Sequence, residues 1–198
     1  MYDSCLYVCG IYFDFLFFRL LIQIISGCPG GWYPHYHHTR GSGYNCFRIF
    51  TNKMDWEKAE RYCESQANSR GSKAYASLAN VHDKETVSFL TDLMRKTIGT
   101  IVEVWLGGIR CRHKGWRECN DGWSWYKGNG RRGYRFKHFN WRQGEPNNAD
   151  GGENCLMGWM HGSSTGKWND AKCSKEVVNG RTYHYKFRFI CQINAIKL

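Results

Sequence analysis

The chain has 198 residues, with 28 Lys and Arg against 17 Asp and Glu, a net charge of +11, ten cysteines and 42% hydrophobic residues. That length holds one domain plus a leader, and the apolar content excludes wholesale disorder. Ten cysteines without one C-x-x-C pair speak for disulfides in an oxidising compartment rather than for zinc. The positive charge comes without a zinc finger, an RNP motif or a continuous basic helix. It therefore points to acidic glycans, microbial envelopes or phospholipid rather than to nucleic acid.

The first 27 residues differ from the rest: the run 11–25 is almost wholly apolar, broken by Asp14 and Arg19, and Gly27 offers a small residue for cleavage. Residues 1–27 are expected to be a signal-peptide-like leader. A signal anchor is the rival reading, but the apolar run is 15 residues, and a spanning helix needs about 20. Losing this segment removes Cys5 and Cys9 and leaves eight cysteines, the even number that a fully paired secreted domain over 28–198 requires. No membrane span is expected in that domain.

The stretch 30–45 is rich in Gly, Tyr and His and reads as a loop. Within it His35, His37 and His38 lack partners at metal-ligand spacing. Residues 47–50 make a short strand. A helix is expected over 55–64, capped by Asp55, with Trp56, Ala59 and Cys63 forming an apolar stripe. A second helix runs over 83–96 behind Asp83, with Val87, Leu90 and Met94 on one face. After Gly99, strand-like runs at 102–106, 123–126, 155–160 and 187–193 alternate with loops. The stretch 107–154 shows little regularity, and its tryptophans argue for an ordered, functional loop region. Two helices followed by short strands imply an α+β fold.

Two enzyme-like motifs fail in context. Gly128-Asn129-Gly130-Arg131-Arg132-Gly133 follows no hydrophobic parallel strand and opens no apolar helix, so it is no dinucleotide site. Gly162-Ser163-Ser164-Thr165-Gly166 leads into a Trp-Asn-Asp turn rather than the helix of a nucleophile elbow. With no nucleophile–base pair elsewhere, an enzyme is not expected. No N-x-S/T sequon occurs, so N-glycosylation is not expected.

The constellation with chemistry lies between Gly144 and Cys173. Glu145-Pro146-Asn147 is followed by Glu153, and Trp168-Asn169-Asp170 falls between Cys155 and Cys173. Three carboxylates and two amides are all oxygen donors, the set that calcium takes with irregular geometry. Without a cation the carboxylates would repel one another. The competing reading is a solvated acidic loop.

Residues in order along 28–193 now carry a resemblance: Cys28-Pro29 with Trp32, Cys46-Phe47, Trp56 with Ala59-Glu60 and Cys63, Leu78 with His82, Trp105-Leu106-Gly107-Gly108, and Phe139-Asn140-Trp141. Gly144-Glu145-Pro146-Asn147-Asn148, Glu153-Asn154-Cys155, Trp168-Asn169-Asp170, Cys173 and Cys191 complete it. The chain resembles a C-type lectin-like domain of the long form. The resemblance implies helices packed on small antiparallel sheets and the pairings Cys28–Cys46, Cys63–Cys191 and Cys155–Cys173. Cys111 and Cys119 are extra to the common pattern and are expected to pair.

The resemblance also implies a secreted, calcium-dependent carbohydrate-binding protein, with a role in innate recognition of microbial glycans. Glu145, Asn147, Glu153, Asn169 and Asp170 would hold one Ca2+ and hydrogen-bond two vicinal sugar hydroxyls. A carboxylate only accepts, whereas an amide NH2 donates. In the family, the Glu-Pro-Asn order goes with the equatorial hydroxyls of mannose, fucose, glucose or N-acetylglucosamine, and Pro146 is expected to be cis. A second calcium is not expected, because Asn148 and Asn154 replace acidic residues. The basic segment 110–139, with Arg131, Arg132, Arg135 and Lys137, is expected either to contact acidic glycans, sulfate or phosphate or to be a solvated basic loop. Lectin-like domains that bind a protein, an acidic polymer or a mineral surface are the alternative.

Overall fold

The structure, a computed structural model, describes residues 27–36, 44–68, 75–100, 102–111, 122–128, 132–159, 163 and 165–194. The chain divides into two compact units, residues 1–46 with 194–198, and residues 47–193. In the smaller unit, Cys28 and Cys46 are joined by a disulfide, and β1 (Tyr33–Tyr36) occupies part of the expected loop. His35 therefore lies on a strand; His37 and His38, like residues 1–26, lie outside the described residues.

The larger unit continues β2 (Tyr44–Met54) and carries α1 (Trp56–Asn68), β3 (Ala76–Leu78), α2 (Lys84–Ile98) and β4 (Val104–Arg110). It goes on through β5 (Trp123–Tyr126), β6 (Arg132–Arg135), β7 (Glu153–Trp159), β8 (Lys167–Lys172), β9 (Lys175–Val178), β10 (Arg181–His184) and β11 (Phe187–Asn194). Here β2, β11, β4, β5 and β6 lie side by side in that order; β3 pairs with β11, β7 with β4, and β8 with β7. The β11–β4 pairing is parallel, and β7–β8 and β4–β7 are antiparallel. This is the expected α+β architecture.

Both expected caps are in place. Asp55 Oδ1 accepts from the Lys58 N–H at 2.9 Å and Asp83 Oδ1 from the Thr86 N–H at 2.7 Å, each satisfying an amide that the first helical turn leaves free. The indole N–H of Trp56 donates to the Leu106 carbonyl at 2.8 Å and that of Trp105 to the Met54 carbonyl at 2.9 Å, so two fully buried rings tie α1 to β4 and β4 to the end of β2. The buried Glu60 carboxylate accepts from the Leu78 N–H at 2.8 Å. Cys63–Cys191 closes 128 residues between α1 and β11, worth about 4–5 kcal/mol in the chain-entropy picture. Cys155–Cys173 ties β7 to the end of β8. Cys111 is disulfide-bonded, and Cys119 lies outside the described residues.

The structure corrects three readings. Strand β4 does not stop at Leu106 but runs through Gly107 and Gly108 to Arg110. These glycines mark close approach, not a turn: a Cβ on Gly107 would lie 2.5 Å from Asn80 Oδ1, and one on Gly108 would lie 2.6 Å from Leu156 Cδ2. The stretch that reads as irregular also contains β6, and the expected Trp-Asn-Asp turn is the middle of strand β8. Beyond it, Asn179 and Gly180 both take positive φ (49° and 74°) and turn the β9–β10 hairpin, a turn the Asn-Gly dipeptide encodes.

Candidate functional site

Strand β8 alternates burial: Trp168 and Asp170 are buried, whereas Asn169 between them is partly exposed. Trp168 packs edge-on against Trp125 at 5.7 Å, Phe136 at 5.7 Å and Trp141 at 5.8 Å, while Trp125 stacks on Phe136 at 4.2 Å. Such pairs contribute roughly 0.5–1.5 kcal/mol each beyond area burial. Trp168 is thus core, and the rigid cluster fixes the two residues after it.

The same tryptophan starts the loop. Its N–H donates to the Asn140 carbonyl and its carbonyl accepts from the Arg142 N–H, both at 2.9 Å. From this anchor the chain turns at Gly144 (φ 87°), passes the cis Glu145–Pro146 bond, and takes positive φ at Asn148 and Asp150.

Asp170 collects the loop. Its side chain is fully buried. Oδ1 accepts from the Asn147 N–H at 3.1 Å; Oδ2 accepts from the Asn148 N–H at 3.0 Å and from Arg110 Nη2 at 2.7 Å. Glu145 Oε2 shares the Asn147 N–H at 3.2 Å, and Glu153 Oε2 accepts from the Ala149 N–H at 2.7 Å. Asn147 Oδ1 accepts from that same Ala149 amide at 2.8 Å. Glu145, Asn147, Glu153 and Asp170 are thus linked through one short backbone segment. Asn169 enters as the neighbour of Asp170 on β8, opposite Met157 of β7.

The electrostatics show mutual repulsion. Burial pushes the Glu145 carboxyl above its ordinary 4.5, and the Asp170 charge pushes it further. Burial also raises Glu153, with Asp170 and then Glu145 adding to the shift, against the Ala149 amide that favours its charged form. Both acids sense the same buried carboxylate, though burial is the larger cause for each.

The donor chemistry suits a hard divalent cation. Asn169 Oδ1 is buried and accepts no hydrogen bond from the described residues, an arrangement that costs free energy unless something positive meets it. Against this, no group of three or more His, Cys, Asp or Glu among the described residues is placed to hold a metal. The acids alone do not form a cage, and Asp170 spends its oxygens on Arg110 and on two backbone amides.

Arg110 is the residue that sequence reasoning misplaces. By position it belongs to the basic segment 110–139, yet it closes β4 with its guanidinium carbon 4.9 Å from the Trp123 ring centre and points into the acidic cluster. The signal lies in its place at the end of a buried strand. Of that basic segment, residues 112–121 and 129–131 lie outside the described residues, and Arg135 and Lys137 are exposed.

Among curated relatives, ladderlectin of Oncorhynchus mykiss is 28% identical over 153 residues, which cover 77% of this chain and 66% of that protein. The galactose-specific lectin nattectin of Thalassophryne nattereri is 28% identical over 148 residues, covering 75% of each chain. Among solved structures, the EPNH mutant of CEL-I matches with a TM-score of 0.63 at 20% identity, covering 85% of this chain and 98% of that one. A calcium-independent type II antifreeze protein matches at 0.57 and 23% identity, covering 85% and 95%. At these identities the solved structures speak for the fold alone. The family model of the lectin C-type domain matches residues 52–179, well over half of the sequence, and the chain therefore belongs to the C-type lectin domain family.

Proposed function

We propose that the protein is a calcium-dependent carbohydrate-binding protein for mannose-type sugars, working in an extracellular setting. The observation that carries this reading is the pair of hydrogen bonds from the Asn147 and Asn148 amides to Asp170, at 3.1 and 3.0 Å. They bring the Glu145-Pro146-Asn147 loop onto the strand that bears Asn169 and Asp170. When bound, calcium would supply coordination positions for two vicinal hydroxyls. Glu145, Asn147, Glu153, Asn169 and Asp170 would hold the ion and orient the sugar, the carboxylates accepting and the amide groups donating. Three disulfides among the described residues fit an oxidising compartment. The role is binding, not catalysis, and a place in innate recognition of microbial glycans suits a chain of charge +11.

A second reading, recognition of a protein, acidic polymer or mineral surface without calcium, is favoured by one observation: Arg110 already neutralises Asp170 at 2.7 Å. A glycan array in calcium and in EDTA separates the two. Retention on mannose, fucose or N-acetylglucosamine that disappears in EDTA supports the sugar reading; absence of glycan binding in both buffers excludes it. The double change Glu145→Gln with Asn147→Asp is expected to move preference toward galactose.

A further inference from the structure

We propose that Arg110 is a built-in cation of this site, holding the Glu145–Glu153 loop in its binding shape before any metal arrives. The inference rests on the site reading above for what the loop binds, but not for how the loop is held. Its geometry is specific. Arg110 Nη2 donates to Asp170 Oδ2 at 2.7 Å and Nε donates to the Glu153 carbonyl at 3.1 Å. One side chain thus ties the end of β4 to both strands that flank the site. The guanidinium also lies over Trp123, with its carbon 4.9 Å from the ring centre, a contact that restricts where the fork can aim.

The carboxylate that Arg110 grips is fully buried, whereas the arginine side chain is 25% exposed. Through Asp170 the charge reaches the loop itself, because the same carboxylate accepts from the Asn147 and Asn148 amides. Charge-assisted bonds of this kind are about twice as strong as neutral ones. Removing the arginine would leave a buried carboxylate uncompensated beside Glu145 and Glu153. That charge could then be relieved by protonation, by opening the loop or by taking up a cation. Because a guanidinium stays protonated at any physiological pH, the positive half of this pair is present without any metal. Asn148 and Asn154 carry no charge, so a second metal has little to bind there; Arg110 supplies positive charge on that side instead.

Hydrogen exchange of the oxidised full chain, followed by mass spectrometry in EDTA and in millimolar calcium, tests this. Wild-type peptides spanning 145–154 are expected to be protected in EDTA, with exchange changing less than about threefold on adding calcium. In Arg110→Met the same peptides should exchange at least about tenfold faster in EDTA and recover in calcium, while peptides from α1 and α2 stay unchanged. Arg110→Lys, which keeps charge but loses the planar fork, should fall between the two. Should the Met variant loosen α1 and α2 as well, the Lys variant decides: faster loop exchange over an intact core supports the proposal, and wild-type exchange overturns it. Wild-type loop peptides that are protected only in calcium overturn it outright. Protection lost in Arg110→Met and not regained in calcium supports the Arg110 inference and removes the calcium reading.

Discussion

Around α1 the chain is held by bulk, and around the 145–154 loop by a few directed bonds. Trp56, Trp105, Cys63, Leu78 and Ile190 are all essentially inaccessible to solvent, and a disulfide joins Cys63 to Cys191. Residues 146–152 are all exposed, and they are ordered through amide hydrogen bonds to Asp170, Glu153 and Asn147. Apolar burial is redundant and non-directional, so it makes a scaffold. Directed bonds to one buried carboxylate are neither, so they make a site that a single substitution can undo.

The largest expected effect falls on the scaffold. Trp105→Ala removes a fully buried ring and its bond to the Met54 carbonyl, and should cost about 3–5 kcal/mol in urea unfolding. If the loss is much smaller, the core is not organised as described. Next comes Asp170→Asn, which strips Arg110 of its charged partner while its bond to the Glu153 carbonyl remains. A broken buried pair costs about 3–5 kcal/mol. Because the arginine is 25% exposed, a loss nearer about 2 kcal/mol is expected, together with at least roughly tenfold weaker calcium binding.

Asn169→Ala sharpens the contrast. Its Oδ1 has no donor to lose among the described residues, so metal-free stability should not fall, while calcium affinity falls roughly tenfold. Equal losses in both would place Asn169 with the scaffold.

The smallest effect concerns pH. His138 packs edge-on against Trp168 at 5.6 Å. Burial holds its pKa below the ordinary 6.5, against the opposing pull of Asp83 and Glu85 and with the help of Lys167. The unfolded chain therefore takes up this proton first. The stability contributed by neutral His138 is complete above pH 6.5 and is lost as the pH falls from there through the lower folded value. In His138→Phe the fall in melting temperature over that range should be shallower than in wild type; an identical profile would assign the pH dependence elsewhere.

Much of this is legible in the residues. Asp55 and Asp83 announce both helix starts because capping is a local exchange of hydrogen bonds. The order of tryptophans, glycines and cysteines carries the resemblance, and the resemblance, not the spacing, implies the fold and the three disulfides Cys28–Cys46, Cys63–Cys191 and Cys155–Cys173. What the sequence misleads about depends on packing. Gly107 and Gly108 seem to end a strand, but they are small because Asn80 and Leu156 press against it. Trp168-Asn169-Asp170 reads as a turn, since nothing local reveals that β7 pairs with it. Arg110 reads as part of a basic surface; only the fold turns it inward, onto an acid 60 residues away.

The central claim is that the side chains gathered around Asp170 take one divalent cation, and calorimetry with calcium on the oxidised protein tests it most directly. The account predicts saturable binding of a single ion with a dissociation constant of roughly 10⁻⁴–10⁻³ M, weakened in Asn169→Ala. An absence of calcium uptake at millimolar concentration by the folded protein would contradict it.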